Sequence, residues 1–290
     1  MIVYQANKAE FLLDFNDRDI EDVIHARYQA KTSRKVAPAE IRSWRESLGY
    51  VARVLSDPAI ADDVGVAIEF FLPQTAKRID VILAGHADDD SRRLIVVELK
   101  QWSSVDATDR DAIVLLRGGS RPDQVRIHPS YQAWSYTAFL EGFNEAVYDG
   151  GLQLRPCAYL HNYAADGVID APLYQPYIER APLFLKGDED RKRLREFIKQ
   201  HIRHGRGRQI LFDLEKGRLR PSKALADVVG KLLKGNEEFA LIDDQKMVFE
   251  AAKAACHKAN ASSKARVVII EGGPGTCLLY TSPSPRDLST

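Results

Sequence analysis

The sequence contains little cysteine and no long apolar run. Its three cysteines, Cys157, Cys256 and Cys277, lack the spacing of a metal site or a disulfide framework. Such scarcity is typical of a reducing compartment, and we expect the protein to be cytoplasmic. No stretch of about 18 apolar residues occurs, so the sequence predicts no membrane span. The first residues, MIVYQANKAEF, also lack the basic start and apolar core of a signal peptide.

The sequence also lacks an excess of charge of either sign. Lys plus Arg and Asp plus Glu both total 41, whereas a protein that coats nucleic acid is more basic. An enzyme acting on nucleic acid needs only local positive charge, so the balance weakens this class without excluding it. Residues 191–209 are strongly basic and are interpreted either as a solvated helix face or as a phosphate-binding surface.

Apolar periodicity predicts a mixed α/β domain in the first part of the chain. About the first 60 residues are predicted to be helical, most clearly residues 37–57, where apolar side chains recur at helical spacing. A second helix is predicted over 128–148 and a later strand over 154–163. Between the helices, three short β-branched runs are typical of strands and cover residues 64–73, 78–85 and 93–102. The order helix, three strands, helix, strand indicates a mixed sheet with helices around it.

A second region is predicted after residue 170. Three prolines between residues 172 and 182 indicate a linker, and an apolar run over 265–272 is typical of a strand. Helices are predicted over residues 188–204, 222–234 and 243–259. We therefore divide the chain into residues 1–170, a linker over 171–187, and an incomplete second domain over 188–276.

Charged side chains interrupt two of the predicted strands. Asp80 lies in RIDVIL, and Glu98 and Lys100 lie in VVELKQW. Because strand side chains alternate, Glu98 and Lys100 share one face, and an adjacent antiparallel strand would bring Asp80 to them. Two carboxylates suit Mg²⁺ or Mn²⁺, with the Leu99 carbonyl as a further oxygen, and the lysine could orient the attacking water. A structural ion pair is the alternative for an isolated E-x-K.

The wider pattern resembles the PD-(D/E)xK signature of restriction endonucleases and their relatives. Asp80 is followed by Glu98-Leu99-Lys100, although Ile79 stands where the family has proline. Gln132 and Tyr136, four residues apart on one helix face, resemble the downstream Q-x-x-x-Y motif of the RecB-like branch. This resemblance implies a restriction-endonuclease-like mixed sheet flanked by helices. It also implies catalytic roles for Asp80, Glu98, Lys100, Gln132 and Tyr136, with metal at Asp80 and Glu98.

The sequence does not decide the roles of four other residues near this pattern. Some members of the superfamily add a glutamate to the metal site, and Glu40, Glu46 and Glu69 are all candidates here. His128 precedes the second helix and is interpreted either as a phosphate contact or as a helix cap.

The end of the second region resembles the opening of a phosphate-binding P-loop. A complete loop requires Gly, Lys and Ser or Thr at 277–279, but the chain has Cys277, Leu278 and Leu279. ATP is therefore expected only in a full-length parent protein. Upstream, Gln245 in LIDDQKMVFEAA resembles the adenine-reading Q-motif, although Asp243 or Asp244 could simply cap that helix. The resemblance implies ATP contacts at Gln245, Gly272, Gly273, Pro274, Gly275 and Thr276.

Together these motifs resemble Schlafen-like bacterial DNA/RNA helicases that carry an amino-terminal PD-(D/E)xK domain. The resemblance implies a magnesium-dependent nuclease acting on DNA or RNA, fused to a helicase truncated at the Walker A motif. The alternative is a non-catalytic module that docks nucleic acid for the helicase. The last fourteen residues, 277–290, resemble a translated sequencing adapter and are expected to be non-native. The oligomeric state is not predicted.

Overall fold

The chain has an α/β architecture built on a mixed six-stranded sheet. A computed structural model describes residues 1–118, 122–220, 240–262 and 267–270. The described strands are β1 (Ile2–Asn7), β2 (Gly65–Phe71), β3 (Arg78–His86), β4 (Arg92–Lys100), β5 (Val105–Ala107), β6 (Ile113–Leu116), β7 (Gln124–Ile127), β8 (Gln153–Leu160) and β9 (Leu183–Phe184). The large sheet has the order β1-β2-β3-β4-β8-β9, and β5, β6 and β7 form a separate three-stranded sheet.

Helices pack on the large sheet and link its strands. The described helices are α1 (Lys8–Asp17), α2 (Ile20–Thr32), α3 (Pro38–Leu55), α4 (Pro129–Phe143), α5 (Glu145–Tyr148), α6 (Gln175–Arg180), α7 (Asp188–His201), α8 (Gly207–Lys216) and α9 (Asp244–Ser262). A 3₁₀ helix, Pro172–Tyr174, precedes α6.

The strand directions confirm the predicted mixed sheet. Strands β1 to β4 pair antiparallel, whereas β8 and β9 pair in parallel with β4 and β8 respectively. A parallel neighbour requires a long crossover, and the chain from β4 to β8 provides one that contains the small sheet and α4. The predicted order of helix, three strands, helix and strand corresponds to α3, β2, β3, β4, α4 and β8.

The prediction that the amino-terminal part is helical was wrong at its start. Residues Ile2–Asn7 form β1, which pairs with β2 along the edge of the sheet. Its apolar residues gain cross-strand partners that only the folded sheet provides, and this tertiary pairing decides the structure of so short a segment. Asn7 then ends the strand and caps α1, where its side chain accepts a hydrogen bond from the Glu10 amide at 2.8 Å.

The two faces of the sheet are covered by different helices. Alternation in β3 and β4 directs Val81 and Val97 into a core with α1, α2, α3 and α7. The intervening Ile82 and Val96 lie in a second core with α4 and α8. Each fully buried side chain of this size stabilises the fold by about 1.5–3 kcal/mol. Glu98, two residues after Val96, therefore belongs to the face covered by α4.

Elements from the predicted linker and second region contact the same sheet. Strand β9, within the predicted linker 171–187, joins the sheet beside β8. Apolar residues of α7 and α8 complete the first and second cores respectively. Helices α7 and α9 confirm two of the helices predicted there. The division at residues 170 and 187 stays a prediction.

Most predictions for the chain after residue 220 fall outside the described residues. The helix predicted over 222–234 and the P-loop residues 272–276 lie outside the described residues, as does the tail 277–290. The strand predicted over 265–272 is not formed at its described residues, 267–270. A strand needs a hydrogen-bonded neighbour, and within the described ranges no residue pairs with this segment.

Helix α8 approaches the sheet so closely that its first residue has no room for a side chain. A Cβ atom on Gly207 would lie 2.2 Å from both the Ala84 carbonyl oxygen and the Gly65 amide nitrogen. We expect Gly207→Ala to lower the free energy of unfolding by about 1–3 kcal/mol, because α8 must move off the sheet. Urea denaturation measures this change.

A matched control is Gly49→Ala, within α3. Its Cβ would meet only the Phe15 ring, at an ordinary 3.5 Å. Alanine also favours a helix over glycine by about 1 kcal/mol, so this variant should be as stable as wild type or more so. Equal denaturation midpoints for Gly207→Ala and wild type would contradict the close approach of α8.

Candidate active site

The predicted residues Asp80, Glu98 and Lys100 lie where the pairing of β3 with β4 ends. The last registered pair is Val81 with Val97, and one further step along both strands places Asp80 opposite Glu98. Beyond this point the Leu99 amide donates to the Asp80 carboxylate at 2.8 Å. A side chain thus accepts a backbone hydrogen bond at the end of the ladder, which fixes the Asp80 carboxylate beside β4.

Glu98 and Lys100 form an ion pair on the face covered by α4. The Lys100 Nζ donates to Glu98 Oε1 at 2.6 Å, and the side chains are 17% and 3% exposed respectively. The second carboxylate oxygen, Glu98 Oε2, is buried and has no hydrogen-bond partner among the described residues. A buried carboxylate oxygen without a partner is costly, so this atom would gain by contacting a cation.

Burial and neighbouring charges shift the pKa values of Asp80, Glu98 and Lys100. Burial, followed by the charge of Asp80, raises the pKa of Glu98 to about 8. Burial also raises the pKa of Asp80, although Lys100 and the Leu99 amide oppose this effect. For Lys100, burial acts to lower the pKa, but attraction to Glu98 and Asp80 outweighs it and raises the pKa. The lysine is therefore charged, while the carboxylates favour a bound proton or another cation between them.

Glu69, one of the three candidate glutamates, lies close enough to Asp80 for the charge of Asp80 to act on it. It adopts a left-handed backbone conformation within β2, with φ of 57°. Its Oε1 accepts from Trp44 Nε1 of α3 at 2.8 Å, and its Oε2 lies 2.9 Å from Arg78. Burial, followed by the charge of Asp80, raises the pKa of Glu69 to about 7. Glu40 also pairs with Arg78, at 2.6 Å, and so joins the same network.

Glu46 and His128 make their contacts away from Asp80 and Glu98. Glu46 is exposed on α3, and its charge acts on the buried His161, whose pKa is lowered chiefly by burial. His128 caps α4, because its Nδ1 accepts from the Ser130 amide at 3.2 Å and its Nε2 lies 2.8 Å from the Ile169 carbonyl oxygen. Burial lowers the pKa of His128 to about 4, so the ring is neutral. Of the two interpretations of His128, the structure shows the helix cap.

The Gln132 and Tyr136 pair forms a directed hydrogen-bond chain on α4. Gln132 Nε2 donates to the Tyr136 hydroxyl at 2.8 Å, and that hydroxyl donates to Asp243 at 2.9 Å. Tyr136 is 1% exposed. Burial, followed by the charges of Glu98 and Asp243, raises the pKa of Tyr136 far above its usual value of 10. The hydroxyl therefore keeps its proton and acts as a donor.

Asp243 is a residue of this neighbourhood that the sequence interpretation assigned only as a possible helix cap. It lies just before α9 and pairs with Lys77 at 2.9 Å, while Asp244 pairs with the same lysine at 2.7 Å. No local pattern reveals these contacts, because Tyr136 and Lys77 are more than 100 residues away in sequence. Gln245, the predicted adenine contact, accepts from the Ile242 amide at 3.1 Å.

The basic segment 191–209 is largely occupied by contacts within the chain. Arg195 donates to the backbone carbonyls of Arg53 and Val54. The other paired cations and their carboxylate partners are Arg191 with Asp188, Arg193 with Asp190, Lys199 with Asp57 and Glu196, Arg203 with Asp88, Arg206 with Asp90, and Arg208 with Glu10. Exposed pairs of this kind contribute about 0–1 kcal/mol each. These contacts favour the interpretation of this segment as a solvated, charge-paired surface.

The part of the chain that the structure describes contains neither a three-residue metal group nor a membrane-spanning helix. No group of three or more His, Cys, Asp or Glu side chains in that part is arranged to hold a metal ion. Asp80 and Glu98 offer two carboxylates and thus fall below that number. None of the helices in the same ranges is long and apolar enough to cross a membrane.

The pKa of Glu98 predicts how stability depends on pH in the absence of divalent cations. Because the folded-state pKa is about 8 and the ordinary value is 4.5, the folded protein binds this proton more tightly than the unfolded chain. The resulting stability is fully present below pH 4.5 and is lost as the pH rises through about 8. In EDTA we therefore expect the melting temperature to fall between pH 6 and pH 9.

Glu98→Gln provides the matched comparison for this pH dependence. The amide is of equal size and does not titrate, so its melting temperature should change less between the same two pH values. Lys100 stays charged over this interval because its pKa is raised from 10.5. A wild-type melting temperature that rises from pH 6 to pH 9 would contradict the raised pKa.

Comparison with known proteins gave no relative. No protein-family model, no curated protein and no solved structure matches the chain.

Proposed function

We propose that the chain hydrolyses phosphodiester bonds of DNA or RNA with a divalent cation held at Asp80 and Glu98. The observation that carries this proposal is the convergence of Asp80, Glu98 and Lys100 at the end of the β3–β4 pairing. Within the part of the chain that the structure describes, Glu98 Oε2 is also buried and without a hydrogen-bond partner. The mixed sheet, in which four antiparallel strands precede two parallel ones, is compatible with the restriction-endonuclease-like fold that the motifs imply.

The residues present fit a hard divalent cation. Asp80 and Glu98 offer carboxylate oxygens, and the carbonyl of Leu99, the residue after Glu98, is a further oxygen. Mg²⁺ and Mn²⁺ favour such ligands and complete their coordination with water and substrate phosphate, so two protein carboxylates suffice. Burial, followed by the charge of Asp80, raises the pKa of Glu98, and a cation bound between the two carboxylates would offset both effects.

Each residue then has a distinct role. A divalent cation held by Asp80 and Glu98 would polarise the phosphoryl group and lower the pKa of a bound water. Glu98 Oε1 orients the Lys100 ammonium through their 2.6 Å hydrogen bond, and Lys100 donates to the attacking water or to the phosphoryl oxygens. The Leu99 amide fixes Asp80, and Tyr136 with Gln132 supports the wall of the site formed by α4.

The proposed function extends to a longer protein of which this chain would be a part. We infer that it is a Schlafen-like nuclease–helicase that binds ATP at residues 272–276 and Gln245. The sequence motifs support this inference, and recovery of the native downstream gene tests it. A Gly-Lys-Ser or Gly-Lys-Thr continuation after Thr276 supports it, whereas an in-frame CLLYTS contradicts it.

A second candidate function is a module that binds nucleic acid without cleaving it. The observation that favours it is that Lys100 already pairs with Glu98, while the described residues contain no three-residue metal group. In such a module the ion pair would only stabilise the sheet.

Incubation of the purified whole chain with labelled DNA and RNA separates the two functions. The whole chain is used because β9, α7 and α8 complete the sheet and its cores. Single- and double-stranded substrates are tested with Mg²⁺, with Mn²⁺ and with EDTA. Cleavage that requires the cation supports the nuclease, and binding without cleavage supports the module.

A further inference from the structure

The turn before α9 is anchored to the face of the sheet that α4 covers. Tyr131 of α4 donates to the Leu241 carbonyl oxygen at 2.8 Å, and Ile242 packs against the second core. The next two residues are Asp243 and Asp244, so we call residues 241–244 the acidic turn. The contacts on its amino-terminal side bring both carboxylates against the α4 side of the sheet.

Two donors from different elements converge on one oxygen of Asp243. The Tyr136 hydroxyl of α4 and the Lys77 Nζ, just before β3, both lie 2.9 Å from Asp243 Oδ2. Asp244 pairs with the same lysine at 2.7 Å. An ammonium and a hydroxyl group directed at one oxygen are donors that also bind phosphate oxygens. The Asp243 carboxylate therefore holds a position that suits a phosphate oxygen.

Lys77 lies on the same face of the sheet as Glu98. Ile79, two residues after Lys77, lies in the second core with Val96, and Glu98 follows Val96 by two residues. Side-chain alternation therefore directs Lys77 and Glu98 to the α4 side. Lys77 precedes Asp80 by three residues, which corresponds to roughly 10 Å along a strand. A nucleic acid with one phosphate at the candidate metal site could thus bring another phosphate to Lys77.

We propose that Lys77 binds a phosphate of the nucleic acid other than the scissile one, and that the acidic turn is an intramolecular competitor for this contact. The inference rests on the proposed function. Asp243 and Asp244 neutralise the lysine and repel an approaching phosphate. A substrate phosphate then binds Lys77 only by displacing Asp243, so the turn lowers the affinity for nucleic acid.

The test compares wild type with the double variant Asp243→Asn/Asp244→Asn, using the whole chain and a labelled single-stranded oligonucleotide in EDTA. Both asparagines keep a side-chain oxygen, and Asn tolerates the left-handed φ of 45° at position 243. An amide does not neutralise Lys77, so fluorescence anisotropy should show about 10-fold tighter binding, as for one hydrogen bond to a charged group. The logarithm of the affinity should also fall more steeply with the logarithm of salt concentration, by about 0.7 per additional phosphate contact.

Asp57→Asn/Glu196→Gln is the matched control. It removes the two carboxylates that pair with Lys199 and changes the net charge by the same amount. Lys199 is 19% exposed, close to the 26% of Lys77, but it lies on α7 at the opposite face of the sheet. This control should bind the oligonucleotide as wild type does. An equal gain in the two double variants would overturn the proposal, because it would depend on net charge alone.

Lys77→Gln tests whether the gain passes through the lysine. Added to Asp243→Asn/Asp244→Asn, it should remove most of the gain, whereas in wild type it should change the affinity less, because Lys77 is already paired. A gain that persists without Lys77, or no gain in the folded double variant, would overturn the proposal. If the double variant does not fold, Asp244→Asn at its exposed position should still bind more tightly than wild type, and its failure to do so counts equally against the proposal.

A cleavage assay with Mn²⁺ on the same proteins distinguishes failure of this inference from failure of the proposed function. If wild type cleaves and the double variant gains no affinity, only the inference fails. If the double variant gains affinity through Lys77 but none of the proteins cleaves, only the nuclease assignment fails. If folded wild type and the double variant neither bind nor cleave DNA or RNA, both fail.

Discussion

Lys100→Ala is expected to slow metal-dependent cleavage by about 10²–10³-fold, the usual loss when one donor to a developing negative charge is removed. Lys100 Nζ is held at 2.6 Å from Glu98 and keeps its charge, because its pKa is raised. Alanine removes both the donor and the positive charge. Single-turnover cleavage rates at saturating Mn²⁺ measure the loss without interference from product release.

The same substitution has a second consequence for Glu98. Its Oε1 loses a charged partner in a position that is 3% exposed, so the pKa of Glu98 should rise further. A cation bound at Glu98 offsets this loss, and the melting temperature of Lys100→Ala should therefore increase more on addition of Mn²⁺ than that of wild type.

Lys199→Ala is the matched control for Lys100→Ala. Lys199 is 19% exposed, close to the 17% of Lys100, and also pairs with a carboxylate, that of Asp57 at 3.3 Å. It lies on α7, which covers the face of the sheet opposite α4. Equal losses of cleavage in the two variants would show that Lys100 has no special role in the reaction.

Asp80→Asn is expected to change activity and stability in opposite directions. The asparagine Oδ1 can still accept from the Leu99 amide, as Asp80 does at 2.8 Å, so the local structure is kept. The negative charge is lost, and cation binding and cleavage should fall by at least about 10²-fold. Because burial raises the pKa of Asp80, its charged form is disfavoured in the metal-free fold.

Removal of this buried charge should therefore stabilise the metal-free protein. Each unit by which burial raises the pKa of Asp80 corresponds to about 1.4 kcal/mol against its charged form, and each kcal/mol changes the melting temperature of a domain of this size by about 2–4 °C. Differential scanning calorimetry in EDTA at pH 8 measures the change. An Asp80→Asn variant that melts below wild type under these conditions would contradict the electrostatic account.

Asp213→Asn provides the comparison for a carboxylate outside the site. Asp213 of α8 pairs with Arg92 at 2.8 Å and is 29% exposed. Its substitution removes an attractive contact, so stability should fall slightly while cleavage is kept. The opposite signs of the two stability changes separate the repulsive carboxylates of the site from an ordinary ion pair.

The convergence of Asp80 with Glu98 could be predicted because it depends on local rules. Side chains alternate along a strand, and consecutive strands joined by a short connection pair as neighbours. Those two rules place Glu98 and Lys100 on one face and bring β3 beside β4. The mixed sheet and its flanking helices could also be predicted, because apolar residues recur at one spacing in helices and at another in strands.

The position of Glu69 could not be predicted from the same rules. Regular alternation does not hold at this residue, because its φ of 57° turns the side chain toward Trp44 on α3. A left-handed glutamate within a strand has no signature in the sequence. Only the packing of Trp44 and Arg78 around its carboxylate reveals it.

Contacts between distant segments also escaped prediction. Asp243 reaches Tyr136 and Lys77 across more than 100 residues, and no spacing pattern encodes such a contact. Helix α8 was missed for a different reason. It begins within the basic segment 191–209, and its apolar face consists of only a few residues. These are Ile210, Leu211 and Leu214, which the structure buries.

The most direct test of the central claim is the cleavage of a labelled single-stranded oligonucleotide by the folded whole chain, compared between Mn²⁺ and EDTA. The wild-type chain should produce shortened products only with Mn²⁺, and Asp80→Asn and Lys100→Ala should produce almost none. Equal cleavage by wild type and both variants, or cleavage that persists in EDTA, would contradict a metal-dependent site at Asp80, Glu98 and Lys100. So would a folded wild-type chain that cleaves no DNA or RNA substrate with either cation.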